Sequence, residues 1–149
     1  MNILFVYPWL SLGGAPNDVL TLAKGLKEKG HNVFLFTKSG GMYEDRVKEL
    51  EVPYVSAPYS TILPHLYHLN PKALKLFNET LERFSIDIVH AFHPYSYIMA
   101  LFSAPFRGIP VVFTAVWFLE EWPYPSYPGR VIFVAEEFKD QAEHLFRGN

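Results

Sequence analysis

The chain has 149 residues, 50% of them hydrophobic and 17% aromatic, and its 13 basic and 15 acidic side chains leave a formal net charge of −2. That length fits one domain able to bury a real core, and the near-neutral charge, without a basic tract, argues against a nucleic-acid partner. The absence of cysteine excludes disulfide frameworks, thiolate metal sites and cysteine nucleophiles. No basic flank precedes the first apolar run, and no run reaches about eighteen apolar residues, so neither a signal peptide nor a transmembrane helix is predicted. The expectation is a cytoplasmic α/β domain.

Asn2 to Tyr7 is a short apolar run (Ile3, Leu4, Phe5, Val6) ended by Pro8, which predicts a strand buried on both faces of a parallel sheet. A loop from Trp9 to Ala15 carries the pair Gly13-Gly14, and Pro16 suits the first turn of a helix. Val19, Leu22, Ala23 and Leu26 repeat at helical spacing until Gly30, a natural stop. Asn32 to Thr37 predicts the second strand, closing in Lys38-Ser39-Gly40-Gly41. Tyr43, Val47 and Leu50 share one face of a short helix, and Val52 to Ser56, interrupted by Pro53, is a weaker third strand. Residues 58–70 show no clear period and predict a long crossover loop.

Pro71 opens a helix with the apolar stripe Leu74, Phe77, Leu81 and Phe84. Lys72, Lys75 and Arg83 beside that stripe make a thin version of a membrane-docking helix, although a core-facing stripe explains it as well. Ile86 to Ala91, Pro110 to Ala115 and Val131 to Val134 predict three more strands, with a helix through Ser96 to Phe102. Residues 117–129 form a second irregular, aromatic segment, and Glu136 to Phe146 a closing helix with acids at its positive end. The sum is one Rossmann-like domain over residues 1–149, a mostly parallel, doubly wound sheet of about six strands.

The glycine loop lies at the carboxyl end of the first strand, where open α/β sheets bind their ligands. Gly13 and Gly14 either make a tight turn or let a phosphate approach the helix N-terminus. A nicotinamide-dinucleotide site would need a third spaced glycine and an acid ending the second strand; position 16 is proline and the strand ends in Thr37-Lys38, so NAD and NADP are not expected. His90 and His93 fall at the end of the fourth strand, at the correct edge for a site. Two histidines three apart without a nearby acid are poor metal ligands, so no metal is expected, and a buried, hydrogen-bonded His90 is the competing structural role. Trp117 and Trp122 flanking Glu120-Glu121 resemble a carbohydrate platform, but they serve equally well to cover apolar surface or cap the sheet.

The run Gly13-Gly14-Ala15-Pro16-Asn17-Asp18-Val19-Leu20-Thr21-Leu22-Ala23, then Leu26 and Gly30-His31-Asn32-Val33, resembles the opening of family 4 glycosyltransferases. Asp87-Ile88-Val89-His90-Ala91 is similar to the family's fourth-strand motif and Gly108 to Thr114 to its fifth. Val131 to Ala135, with Lys139-Asp140, is similar to a later segment in which the family usually has serine at position 135. The resemblance implies the GT-B fold, two Rossmann-like domains facing across a cleft. It implies a retaining enzyme with a nucleotide-sugar donor as co-substrate, no other cofactor and no essential metal. The N-terminal domain chiefly holds the acceptor and the C-terminal domain the donor. The chain stops at Asn149, about where the family crosses to its second domain. The expectation is therefore an acceptor-binding half without its donor domain, inactive alone and completed in cis or by a separate chain.

By this resemblance Asp18 aligns with an acceptor-facing position, proposed in some members as the base that takes the acceptor hydroxyl's proton. A helix-start role for Asp18, contributing about 0.3–1 kcal/mol, is the alternative. His93 is the second catalytic candidate, and Asn17, His90, Tyr95, Thr114 and Trp117 are the acceptor-binding candidates, with Gly13 and Gly14 approaching the co-substrate. The acceptor is expected to be a sugar or a lipid-linked acceptor, which allows a peripheral place at the inner face of the membrane. Where the family often has a histidine after the fifth strand, this chain has Val116. That departure either removes catalysis from this chain or leaves more of the work to Asp18 and His93; the rival expectation is a stand-alone Rossmann-like binding or regulatory module without transferase activity.

Overall fold

A computed structural model describes residues 1–10, 14–39, 41–57, 70–115, 130–136 and 139–140 of the chain. The strands are β1 (Asn2–Trp9), β2 (Asn32–Lys38), β3 (Tyr54–Ser56), β4 (Ile88–Ala91), β5 (Val111–Ala115) and β6 (Arg130–Phe133). They form one sheet in the order β3-β2-β1-β4-β5-β6, parallel at every pairing. The helices are α1 (Gly14–Glu28), α2 (Glu44–Glu49), α3 (Pro71–Arg83) and α4 (Pro94–Leu101), with a 3₁₀ turn at Pro105–Arg107.

The alternation of side chains along a strand divides the core in two. Ile3, Phe5 and Tyr7 of β1 face Val19, Leu20 and Ala23 of α1 and Val47 of α2. Leu4 and Val6 face the other way, into a layer with Phe77 and Leu81 of α3 and Tyr97, Met99 and Ala100 of α4. Ile3 through Tyr7 are all buried, which is why this stretch reads as an unbroken apolar run. Phe36 meets Phe77 edge-on at 5.3 Å, both fully buried; burying one such ring contributes about 1.5–3 kcal/mol.

Three helices end alike. Gly30 at φ 82 donates to the Lys27 carbonyl while His31 donates to that of Leu26, the paired bonds of a Schellman ending. Glu51 (φ 50) and Ser85 (φ 48) repeat the pattern after α2 and α3 without glycine's freedom. The closing of β2 onto β1 depends on another glycine. A Cβ at Gly41 would sit 2.1 Å from the Leu10 carbonyl oxygen, and Tyr43 N–H donates to that same oxygen at 3.3 Å. Gly41→Ala must push backbone against backbone and is expected to cost about 1–3 kcal/mol, the range for overpacking. Urea unfolding of the two proteins checks this; equal midpoints would mean that the Leu10 segment yields freely.

Several boundaries move from their expected places. β1 runs on to Trp9 through a register shift after Val6, because Pro8 has no N–H for the ladder and the strand passes it as an irregularity. β3 shortens to Tyr54–Ser56, leaving Pro53 outside with its carbonyl accepting from Leu35 N–H at 2.9 Å. α1 begins at Gly14, two residues before Pro16, and no acid lies in its first turn. The expected crossover 58–69, the aromatic segment 117–129 and most of the closing helix fall outside the described residues. Among the described residues no helix is long and apolar enough to cross a membrane.

Candidate functional site

The sheet order puts the chain's change of direction between β1 and β4: β2 and β3 build out one way, β4, β5 and β6 the other. Ligands of open parallel sheets bind outside the carboxyl ends at such a switch point. Trp9, the start of α1, His90 to His93, the start of α4 and Thr114 all come to this edge because β1, β4 and β5 are parallel neighbours. Gly14, Asn17, Asp18, His90, His93, Tyr95 and Thr114 thus share one edge. Gly13, Val116 and Trp117 lie outside the described residues.

His93 is the N-cap of α4, with extended backbone (φ −145, ψ 142), and its Nδ1 accepts from Tyr95 N–H at 3.3 Å. Pro94 follows as the first helical residue, where a missing N–H is no loss. Burial holds the His93 imidazole at a pKa of about 4, below its ordinary 6.5, so the ring is neutral near pH 7. With Nδ1 accepting, the proton of that neutral ring resides on Nε2. His93 is therefore built to donate a hydrogen bond rather than to take a proton. Its ring lies 5.5 Å from Trp9 and 5.0 Å from Tyr95, centroid to centroid. Trp9 is 38% exposed, an aromatic surface at the carboxyl edge of the sheet that its expected place in a strand-ending loop did not single out.

His90 and Thr114 are buried side by side: the imidazole Nε2 is 2.6 Å from the Thr114 hydroxyl. Register explains the meeting, since His90 pairs with Val112 and Thr114 is the next residue of β5 on the same face. Phe92 stacks on the His90 ring at 4.2 Å and Phe5 meets it edge-on at 5.4 Å. This apolar enclosure lowers the His90 pKa to about 4. As placed, the pair braces β4 against β5 beneath the site.

At α1, a Cβ at Gly14 would meet nothing within 4 Å, so the space above the first turn is open. Asn17 is half-buried and accepts a hydrogen bond from the Arg46 guanidinium of α2. Arg46 was not among the sequence candidates; one arginine on a short polar helix carries no periodic signal. Asp18 is exposed and lies past the first turn, on the side of the helix away from the buried stripe Pro16, Val19, Leu20 and Ala23. The helix dipole acts within the first turn, so the earlier start of α1 removes most of the helix-start role expected for Asp18. Among the described residues, no three of His, Asp and Glu converge as metal ligands.

The profile of Glycosyltransferase Family 4 matches residues 12–146. No curated protein sequence matches at a significant level. Among solved structures, a glycosyltransferase from Rickettsia africae superposes with a TM-score of 0.71 at 19% identity, over 99% of this chain and 40% of its own. MurG of Acinetobacter baumannii gives 0.59 at 21% identity, over 76% and 33%. Anabaena HepE, solved with UDP-glucose, gives 0.64 at 14% identity, over 80% and 30%. The chain spans less than half the length of each. The likeness is one of fold, that of GT-B glycosyltransferases.

Proposed function

The chain belongs to glycosyltransferase family 4, and from that premise we propose that it is the acceptor-binding half of a retaining glycosyltransferase that uses a nucleotide-sugar donor. The observation that carries this reading is the opening of α1. The family match runs through it, the space above Gly14 is open, and Asp18 is left exposed beside a switch-point edge. A second domain is needed to complete a GT-B fold. Supplied in cis or as a separate chain, it would hold the donor, as HepE holds UDP-glucose, without a metal. Asp18 takes the proton of the acceptor hydroxyl. Trp9 and Tyr95 offer ring faces to an acceptor sugar, and neutral His93 donates from Nε2. Gly13 and Gly14 let the co-substrate come close, and Trp117 extends the acceptor side. The same reading puts the protein in the cytoplasm, peripheral to the inner membrane face where the acceptor is lipid-linked.

Val116 at the family's histidine position favours a second reading, a binding or regulatory module that kept the fold and lost transfer. The test separates the two. The 149-residue chain is incubated with a panel of nucleotide sugars and acceptors, alone and joined to the C-terminal domain of a GT-B glycosyltransferase. No turnover alone and turnover when joined is the expected result. Turnover by the chain alone overturns the half-enzyme reading, and none in either form favours the binding module.

A further inference from the structure

Two hydroxyls in the layer between the sheet and α1 lack the hydrogen bond that burial demands. Tyr7 is 7% exposed and lies in the cluster with Val19, Leu20 and Ala23 of α1. Its phenol has no hydrogen-bond partner among the described residues. The Thr37 hydroxyl is wholly buried and is unpartnered too, so it does not bond to Tyr7 either. A buried hydroxyl without a partner is costly, and buried polar groups in folded proteins are nearly all paired. Two exceptions at one place point to a group brought by a ligand.

They are at one place. In the parallel pair β1–β2, Val6 is the register partner of Phe36 and Trp9 that of Lys38. Tyr7 follows Val6 and Thr37 follows Phe36, so the two stand side by side on strands about 4.8 Å apart. They also share a face. Val6 and Phe36 belong to the layer of α3 and α4. Alternation turns the next residue of each strand to the other side, where Tyr7 and Leu35 are found with α1. Both stand at the carboxyl end of the sheet, two residues or fewer from Trp9 or its partner Lys38.

The chemistry of the pair selects the group it would hold. Desolvation raises the Tyr7 pKa above its ordinary 10.0, so the phenol keeps its proton near pH 7. Each hydroxyl both donates and accepts, and neither is charged. That suits a neutral hydroxyl, whereas an anion would give up its water for two uncharged donors. So little of either side chain is exposed that they meet one group of a ligand and not its ring.

We propose that Tyr7 and Thr37 read one hydroxyl of a neutral sugar acceptor and set the specificity of the domain for it. The proposal rests on the acceptor-side reading of the domain and names the group recognised. A site that hydrogen-bonds a substrate hydroxyl discriminates strongly against the analogue lacking it, because its own buried groups are then left unpaired.

The test uses the 149-residue chain and NMR titration. The probes are the methyl glycosides of glucose, galactose and mannose, with their monodeoxy analogues. Tyr7→Phe and Thr37→Val each remove one hydroxyl. Neither variant should melt below wild type, and Thr37→Val should melt higher, because no bond inside the fold is lost. One glycoside is expected to bind, and one of its monodeoxy analogues to bind about tenfold more weakly or worse. Each single variant should narrow that gap and the double variant should close it. No binding of any glycoside, a gap unchanged in the double variant, or a lowered melting point in either single variant overturns the proposal. Sugar transfer plays no part in these readouts. The expected binding pattern without turnover by the joined protein overturns only the transferase reading. Turnover by the joined protein with the gap unchanged in the double variant overturns only this one.

Discussion

Acidification from pH 7 to about 4 is expected to remove about 3 kcal/mol of folding stability through His90 alone. The folded-state pKa is lowered from 6.5 to about 4 by burial. The folded chain therefore refuses a proton that the unfolded chain binds below 6.5. The stabilisation is complete above pH 6.5, shrinks as pH falls through the interval, and levels off below about 4, each unit of difference being worth about 1.4 kcal/mol. The geometry supports the direction: the ring packs against Phe5 and Phe92, and among the described residues its hydrogen bond is to the Thr114 hydroxyl. His93, lowered for the same reason, adds in the same sense. His90→Gln cannot charge and still reaches a hydrogen bond to Thr114. Urea unfolding at pH 7.0 and 4.5 should therefore show the variant losing about 2–3 kcal/mol less than wild type. Parallel losses would show that His90 titrates normally, and that water reaches it through the sheet edge.

The sheet was legible because its strands announce themselves. Ile3 to Val6 is buried on both faces and reads as an unbroken apolar run, and Val33, Leu35 and Phe36 of β2 and Val111, Phe113 and Ala115 of β5 are buried as well. Their order follows from the rhythm of strand and helix. Helix ends were legible only where glycine makes them: Gly30 was read, while Glu51 and Ser85 adopt the same left-handed turn with residues that give no hint. The site divides likewise. That His90 and His93 reach the ligand edge follows from their place at the end of β4. That Thr114 faces His90 needs the register of β4 on β5, and that Arg46 reaches Asn17 needs the packing of α2 on α1. These are long-range facts with no local pattern. Asp18 shows the cost of a boundary error. Two residues of shift at the start of α1 move it out of the first turn and change which of its two roles the fold favours.

Asp18→Asn is expected to lower turnover of the joined protein by about 10²–10⁴-fold, the usual contribution of a general base, while leaving the fold almost untouched. That rate loss corresponds to about 2.7–5.4 kcal/mol of transition-state stabilisation. Asparagine keeps the size and shape of the side chain but cannot accept the hydroxyl proton. Its amide still makes hydrogen bonds, so acceptor affinity should change far less than rate, and kcat should fall with KM nearly constant. The structural cost is small because Asp18 is exposed, lies beyond the first turn, and bears no hydrogen bond or ion pair among the described residues. Surface changes of that kind stay within about 0.5 kcal/mol. The two measurements are made on the same preparations, rate at saturating acceptor and thermal unfolding. A lowered melting point with an unchanged rate would make Asp18 a helix residue after all. In that case the base must come from the second domain, because neutral His93, with its proton on Nε2 and its Nδ1 engaged by Tyr95, is arranged to donate and not to accept.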